Sequence, residues 1–422
     1  MNERYLKPEE RAVYALRELY RGYGYLPFKM SKFEEYDLYV RNKDFLVSDR
    51  IITFTDMGGK LLALKPDVTL SIIKNGEDIP GYKQKVCYNE NVYRVSGRTH
   101  QFKEILQTGL ECIGDLDTYD VCEVVTLAAA SLAAVSDSYA LDVSHMGVLS
   151  ALLDEITVHG DVRREIARCI SEKNPHDLAR VCADAEINAE DTAILCNFVD
   201  VYGDMDSVLA RLAPLARRFE AISVALSELT ILRDHLKATP YGDRVRFDFS
   251  IMNDMSYYNG VVFCGYLDGI CECVLSGGRY DRLMKRMGRT SGAIGFALYL
   301  DLLEGLTGNA PAYDVDVLVL YDSSTPAQDV TKQVAALRTE GKTVSAQRVI
   351  PEKLRYATLC DLRKEGARGS ILHFPRADWA RRSTPCSPRL AMSVLPCWSL
   401  PASSFLRTPR RGCATSGSSP PT

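Results

Sequence analysis

Apolar and polar positions along this chain change period several times, and each change predicts an element. The first 135 residues predict a helix from Pro8 to Arg21, a strand at IITFT, a GGK turn, a strand at LLALK and a helix starting at Pro66. Two long strands follow, QKVCYNENVYRV and KEILQTGLECIG, joined by a loop around SGRTHQ, and then an alanine-rich helix from Tyr119. From 144 to 238 apolar residues recur three and four apart, as in GVLSALLDEI and AISVALSELTILRDHL, so this stretch is expected to be helical throughout and to form an insertion. Alternation by two returns at VRFDFSIM, where Val245, Phe247, Phe249 and Ile251 alternate with Arg246, Asp248 and Ser250, and Asp268-Gly269 marks a tight hairpin. Residues 313 to 368 predict strand VDVLVLY, helix PAQDVTKQVAALRTE, strand TVSAQRV and a second helix PEKLRYATLCDLRKE.

The last 54 residues fit neither period. They hold seven arginines, no lysine, one acid (Asp378), both tryptophans (Trp379, Trp398), eight of the eighteen prolines and ten serines. A disordered basic arm and an out-of-frame end beginning near residue 370 both fit that composition. Removing this tail changes the meaning of the net charge: the total is −4, the tail contributes +6, and the remaining body carries −10. An acidic body gives nucleic-acid binding no general electrostatic support.

With 422 residues, 46% apolar and 25% charged, the chain has room for two or three domains around a sizeable core. No apolar run is expected to cross a bilayer, and the charged start MNERYLKPEE does not read as a signal peptide, so a cytoplasmic location is expected. The thirteen cysteines form no CxxC pair and the six histidines no HExxH or HxxxH pair, so neither disulfides nor a metal site is expected.

The period of two in QTGLE puts Gln107, Gly109 and Glu111 on one face of a strand. An amide, a bare backbone and a carboxylate there suit recognition of an ammonium group, or form the polar outer face of a half-exposed strand. In KPDVT, Pro66 and Asp67 stand at a strand-to-helix junction, where both are also ordinary helix starters. Tyr257 and Tyr258 are placed at the start of a strand, a common core position for aromatics. The glycine pair of GGRYDRL suits either a turn or a close backbone approach to a ligand.

Taken together, FTDMGGKLLALKPDVT, VYR, LQTGLECIG, YYNGVVF, GGRYD and AIGFAL resemble, in order and spacing, the catalytic domain of histidyl-tRNA synthetases over about residues 8 to 305. The resemblance implies an α+β fold of class II synthetase type, an antiparallel sheet flanked by helices. It implies that Asp67 stands where a glutamate accepts a hydrogen bond from the substrate imidazole, that Thr69, Gln107 and Glu111 belong to the same pocket, and that Tyr257 and Tyr258 pack on the histidine side chain. Residues 313 to 370 resemble the first half of the anticodon-binding α/β domain of those enzymes. The expected organisation is therefore a synthetase-like core at 1–140 and 240–308, a helical insertion at 141–239, a partial anticodon-binding-like domain at 313–370 and the tail at 371–422.

Two cations of the synthetase pattern are replaced. The arginine of RGLDYYTG aligns with Asn253 and the motif 3 arginine with Leu302, whereas Arg94 keeps the motif 2 arginine. The motif 2 loop also departs at Val95 and Lys103, and the motif 1 proline at Ser31, although Glu34 remains. Each charge lost from the site of adenylate formation would cost about 10² to 10³ in rate. Retained amino-acid readers with lost ATP cations resemble the regulatory subunit of ATP phosphoribosyltransferase, a synthetase paralogue. That resemblance implies no catalytic residues and no cofactor, the short catalytic subunit as partner, free histidine as effector, a homodimer within a hetero-oligomer, and no role for tRNA. The alternative it leaves open is an active histidyl-tRNA synthetase.

Overall fold

The computed structural model describes residues 6–42, 51–95, 99–156, 160–251, 257–305, 313–363 and the backbone of 371–373. Asn253 and the tail beyond residue 373 lie outside the described residues. The chain divides into two compact units, Met1–Ala310 and Pro311–Thr422.

The first unit begins with α1 (Pro8–Gly22), β1 (Leu26–Pro27), β2 (Phe33–Glu35), α2 (Tyr36–Val40), β3 (Thr53–Thr55), β4 (Leu61–Leu64) and α3 (Thr69–Asn75). The long strands β5 (Gln84–Val95) and β6 (Phe102–Gly114) and helix α4 (Thr118–Val135) follow. Next come β7 (Tyr139–His145), α5 (Met146–Glu155), α6 (Gly160–Ser171), α7 (Pro175–Asp184), α8 (Ala189–Val199), β8 (Tyr202–Gly203), α9 (Met205–Arg218) and α10 (Glu220–Lys237). The unit closes with β9 (Val245–Asp248), β10 (Val261–Leu267), β11 (Leu275–Arg279), α11 (Asp281–Arg286) and β12 (Gly292–Tyr299).

Nine of these strands form one sheet in the order β1-β5-β6-β12-β11-β10-β7-β9-β8. Its interior is antiparallel from β5 to β7, while β1 runs parallel to β5 and β9 parallel to β7. Alternation along β6 divides the two faces of the sheet. Leu110 and Cys112 enter the main core with α1, α4 and the insertion helices, whereas Ile113 packs on the other side with Tyr39, Ala63, Leu70 and Tyr88. Glu111 shares that second face, and so do Gln107 and Gly109 by the period of two.

Helix α4 starts at a capping box, with Asp117 accepting from the backbone of Tyr119 and Asp120 while Asp120 accepts from the Asp117 backbone at 2.8 Å. It is long and apolar enough to cross a bilayer, which corrects the expectation that no such run exists. Its apolar surface is instead spent on the core under the sheet. Two buried carboxylates in its first turns, Asp120 and Glu123, are met by Lys83 at 2.6 Å and Lys85 at 2.5 Å.

Three further expectations are corrected. The helix expected from Pro66 starts at Thr69, because Pro66 and Asp67 belong to the turn that precedes it. The stretch from 144 to 238 is not helical throughout: β7 continues to His145 and β8 interrupts at Tyr202–Gly203, pairing with β9. Tyr257 and Tyr258 lie just before their strand, which begins at Val261.

The second unit contains β13 (Val315–Leu320), α12 (Ala327–Thr339), β14 (Val344–Gln347), β15 (Tyr356–Asp361) and β16 (Ile371–His373), in the sheet order β14-β13-β15-β16. β13 is parallel to both neighbours and β15 is antiparallel to β16. The helix expected at PEKLRYATLCDLRKE is strand β15 over Tyr356–Asp361. Leu359 packs with Leu318 and Leu320 on one face, and Cys360 with Val317, Val319 and Leu337 on the other. A strand buried on both faces needs a short continuous apolar run, which in sequence is not distinguishable by period from a helix turn.

Candidate ligand-binding site

A cavity of about 390 Å³ opens on the second face of the large sheet, within the size range of small-molecule sites. Gly295 and Ala297 of β12 and Ser276 of β11 line its floor beside Glu111 of β6, and these strands are in register. Glu111 lies opposite Gly295 and Gly295 opposite Gly278; in the next row Gly109 faces Ala297, which faces Ser276. The glycines are required by the approach of neighbouring atoms. A Cβ at Gly295 would fall 1.7 Å from Glu111 Oε2, and one at Gly109 would fall 2.1 Å from the Phe296 carbonyl oxygen. The walls include Asp67, Thr69, Tyr88, Arg94, Tyr257, Tyr258, Tyr280 and Tyr299.

Glu111 is the electrostatic centre. Only 2% exposed, it accepts a hydrogen bond from the Thr69 hydroxyl at 2.8 Å and from the Tyr280 hydroxyl at 2.5 Å. Burial raises its pKa from 4.5 to about 8, and the two hydrogen bonds only partly oppose that shift. Across the cavity Asp67 Oδ1 accepts from the Leu70 backbone at 2.8 Å. Burial lifts the Asp67 pKa as well, opposed by the Leu70 bond and by the charges of Arg94 and Lys65. Arg94 is the one cation lining the cavity among the described residues, and its Nε donates to the Pro66 carbonyl at 3.0 Å.

The residues expected to read the ligand, together with the motif 2 arginine, meet here: Asp67, Thr69, Arg94, Gln107, Glu111, Tyr257 and Tyr258 line one cavity. They come from the β4–α3 turn, the first residue of α3, β5, β6 and the segment before β10. Tyr257 stacks obliquely on Tyr258, with ring centroids 4.5 Å apart, and on Tyr280 at 5.7 Å. Tyr280, Tyr88 and Tyr299 also line the pocket, and the sequence pattern does not point to them. Tyr280 lay within the GGRYD match, and its hydroxyl on Glu111 is the contact that motif did not reveal.

Leu302 follows β12 in a short helical turn and packs half-buried against the main core. Lys103 is exposed on β6, opposite Arg94 in register. Ser31 is outside the cavity lining, and Glu34 is engaged by Lys74 at 2.5 Å. Among the described residues no group of three or more His, Cys, Asp or Glu side chains could hold a metal ion.

The histidyl-tRNA synthetase family model matches residues 1–303. The chain belongs to that family. Within this family its sequence resembles ATP phosphoribosyltransferase regulatory subunits. That of Alkaliphilus metalliredigens is 28% identical over 288 residues, covering 66% of this chain and 71% of the relative. The one from Clostridium kluyveri is 26% identical over 337 residues, covering 77% and 85%. Among solved structures, an ATP phosphoribosyltransferase regulatory subunit/histidyl-tRNA synthetase from Bacillus halodurans C matches with a TM-score of 0.66 at 25% identity, over 81% of this chain and 88% of that one. A histidyl-tRNA synthetase from Nostoc sp. PCC 7120 shares the fold, with a TM-score of 0.68 at 18% identity over 85% and 88%. The synthetase-like α+β architecture expected from the motifs is thereby established.

Proposed function

We propose that this chain is the regulatory subunit of ATP phosphoribosyltransferase, binds free histidine in the cavity around Glu111, and serves the first step of histidine biosynthesis without catalysing it. The observation that carries this reading is the makeup of the cavity. Its acceptors converge as an amino acid requires, yet Arg94 is its single lining cation among the described residues. In the bound complex Glu111 and Gln107 would receive the α-ammonium group and Asp67 the imidazole N–H, with Tyr257 and Tyr258 against the ring. Arg94 would face the ligand carboxylate.

Adenylate formation would need further positive charge on the α-phosphate, and the position aligned with the motif 3 arginine is the apolar Leu302. The names of the relatives support the regulatory reading over an active synthetase. The partner is the short catalytic subunit of the transferase, and histidine occupancy biases that assembly by about 1 to 3 kcal/mol, the usual size of an allosteric coupling. A homodimer is supported by the exposed apolar side chains Phe33, Phe54 and Leu61 on the small sheet formed by β2, β4 and β3, and by Met57 in the turn that joins β3 to β4. The acidic body supports the exclusion of tRNA, and a cytoplasmic location fits a biosynthetic complex.

Mixing the chain with the short catalytic subunit should produce histidine-inhibited ATP phosphoribosyltransferase activity. Histidine-dependent exchange of pyrophosphate into ATP should be absent. Robust exchange without stimulation of the catalytic subunit would replace this reading with the synthetase.

A further inference from the structure

Thiols gather at one side of the hairpin formed by β10 and β11. Cys264 lies within β10, opposite Ser276 of β11 and Asp142 of β7. The hairpin carries an irregularity at its end: the Val274 backbone N–H bonds the Gly265 carbonyl at 2.9 Å, while Leu275 is the residue paired with Gly265. Two residues of one strand thus oppose one of the other, the arrangement of a bulge, which re-aims the side chain beside it. Cys273 is that neighbour, and it joins Cys264, Tyr266 and Tyr258 in one small apolar cluster. Cys273 donates to the Leu275 carbonyl at 2.9 Å, and its thiol lies near enough to that of Cys264 for each to shift the other's titration.

Their environments differ in a useful way. Cys264 is 7% exposed, Cys273 is half-buried and within reach of solvent, and Cys271 two residues earlier is exposed but outside the cluster. The interaction between them pushes the Cys264 thiol up and draws the Cys273 thiol down. An accessible thiol with more thiolate character beside a buried partner is the arrangement of an attacking and a resolving cysteine.

We propose that Cys264 and Cys273 are a reversible dithiol site that closes to a disulfide when the protein meets a low-molecular-weight disulfide. The Cys273 thiolate attacks one sulfur of the small disulfide, forming a mixed disulfide and expelling one thiolate. Cys264 then gives up its proton, attacks the Cys273 sulfur and expels the second thiolate. Two protein thiols are oxidised to one disulfide, and the small disulfide is reduced to two thiols. The bridge ties the hairpin together beside Ser276 and Tyr258, which both line the ligand cavity. The inference stands on the hairpin alone and does not depend on which ligand the cavity takes.

The test uses the full chain treated with oxidised glutathione, alkylated and digested without reductant. The expected product is a linked peptide pair joining Cys264 to Cys273, two hydrogens lighter than the thiol form and lost on treatment with dithiothreitol. Cys271→Ser should leave its yield unchanged, and Cys273→Ser should abolish it. Full alkylation of both Cys264 and Cys273 after treatment, or a bridge that forms through Cys271 instead, would overturn the proposal. Because all residues are assayed in the wild-type chain first, a misfolded variant does not decide the outcome.

Discussion

Tyr280 donates its hydroxyl to Glu111 Oε2 at 2.5 Å, so a carboxylate buried under the sheet is held by a tyrosine from the turn that follows β11. With a pKa near 8, Glu111 holds a proton at neutral pH in the empty cavity. An ammonium ligand requires the ionised form, so binding must expel that proton.

Histidine affinity should therefore rise between pH 6.5 and 8, by up to about tenfold per pH unit where Glu111 starts protonated. Calorimetry in buffers of different ionisation enthalpy should register proton release at pH 7. Tyr280→Phe removes a hydrogen bond that favours the ionised form, so the profile should move to higher pH. Affinity should also fall by roughly 1.5 to 3 kcal/mol, the usual worth of a hydrogen bond to a charged group. Stability follows the same linkage. The folded pKa of about 8 exceeds the unfolded 4.5, so this group's contribution is complete below pH 4.5 and is lost as pH rises through 8. Glu111→Gln should flatten that loss, leaving a higher Tm than wild type at pH 9, while abolishing histidine binding.

The floor of the cavity gives a second prediction. Gly295→Ala would put a methyl group 1.7 Å from Glu111 Oε2 and 2.4 Å from the Leu110 carbonyl oxygen. The carboxylate can swing away, but the carbonyl belongs to the paired strand β6 and cannot. The variant should lose at least about 3 kcal/mol in denaturant unfolding, the upper range for overpacking, and should lose ligand binding with it. Wild-type stability would show that the strands separate more easily than the register implies.

Much of this site is legible in the sequence because β6 exposes it by alternation: Gln107, Gly109 and Glu111 sit two apart, and a strand has no other way to place them. The floor opposite is harder to read. Gly295 and Ala297 look like ordinary small residues until register sets them against Glu111 and Gly109. Tyr280 eluded assignment because its role depends on a contact 169 residues away in the chain. Strand β15 reads as a helix in sequence for a different reason: its apolar residues serve two faces of a sheet at once, so they lack the period of two that marks a half-buried strand.

A third prediction concerns Leu302. If a missing arginine were the only obstacle to adenylate formation, Leu302→Arg would restore some pyrophosphate exchange. Leu302 packs on the main core, however, and a guanidinium there must be desolvated or displace its turn. The expected result is a loss of about 1 to 3 kcal/mol in stability and no measurable exchange, alone or with Asn253→Arg. Exchange in the double variant would show that two charges are all that separate this chain from its enzymatic relatives.

Lys65 carries the last prediction. It is fully buried, its Nζ lies 2.9 Å from Glu90, and its backbone is held on both sides, by the Lys32 carbonyl at 2.9 Å and the Tyr93 N–H at 2.8 Å. Next along the chain Arg94 holds the Pro66 carbonyl, so the turn carrying Asp67 is anchored at two consecutive residues. Lys65→Met would strand Glu90 and should cost about 3 to 5 kcal/mol, the penalty for breaking a buried pair. Replacing both partners, as in Lys65→Met with Glu90→Leu, should recover most of that stability. It should not recover histidine affinity, because the Lys65 charge also opposes the burial that raises the Asp67 pKa. The double variant should therefore fold well and bind more weakly than wild type, with part of the loss recovered as pH rises and favours the ionised Asp67. Wild-type affinity in the double variant would reduce the Lys65–Glu90 pair to a structural element with no influence on the ligand.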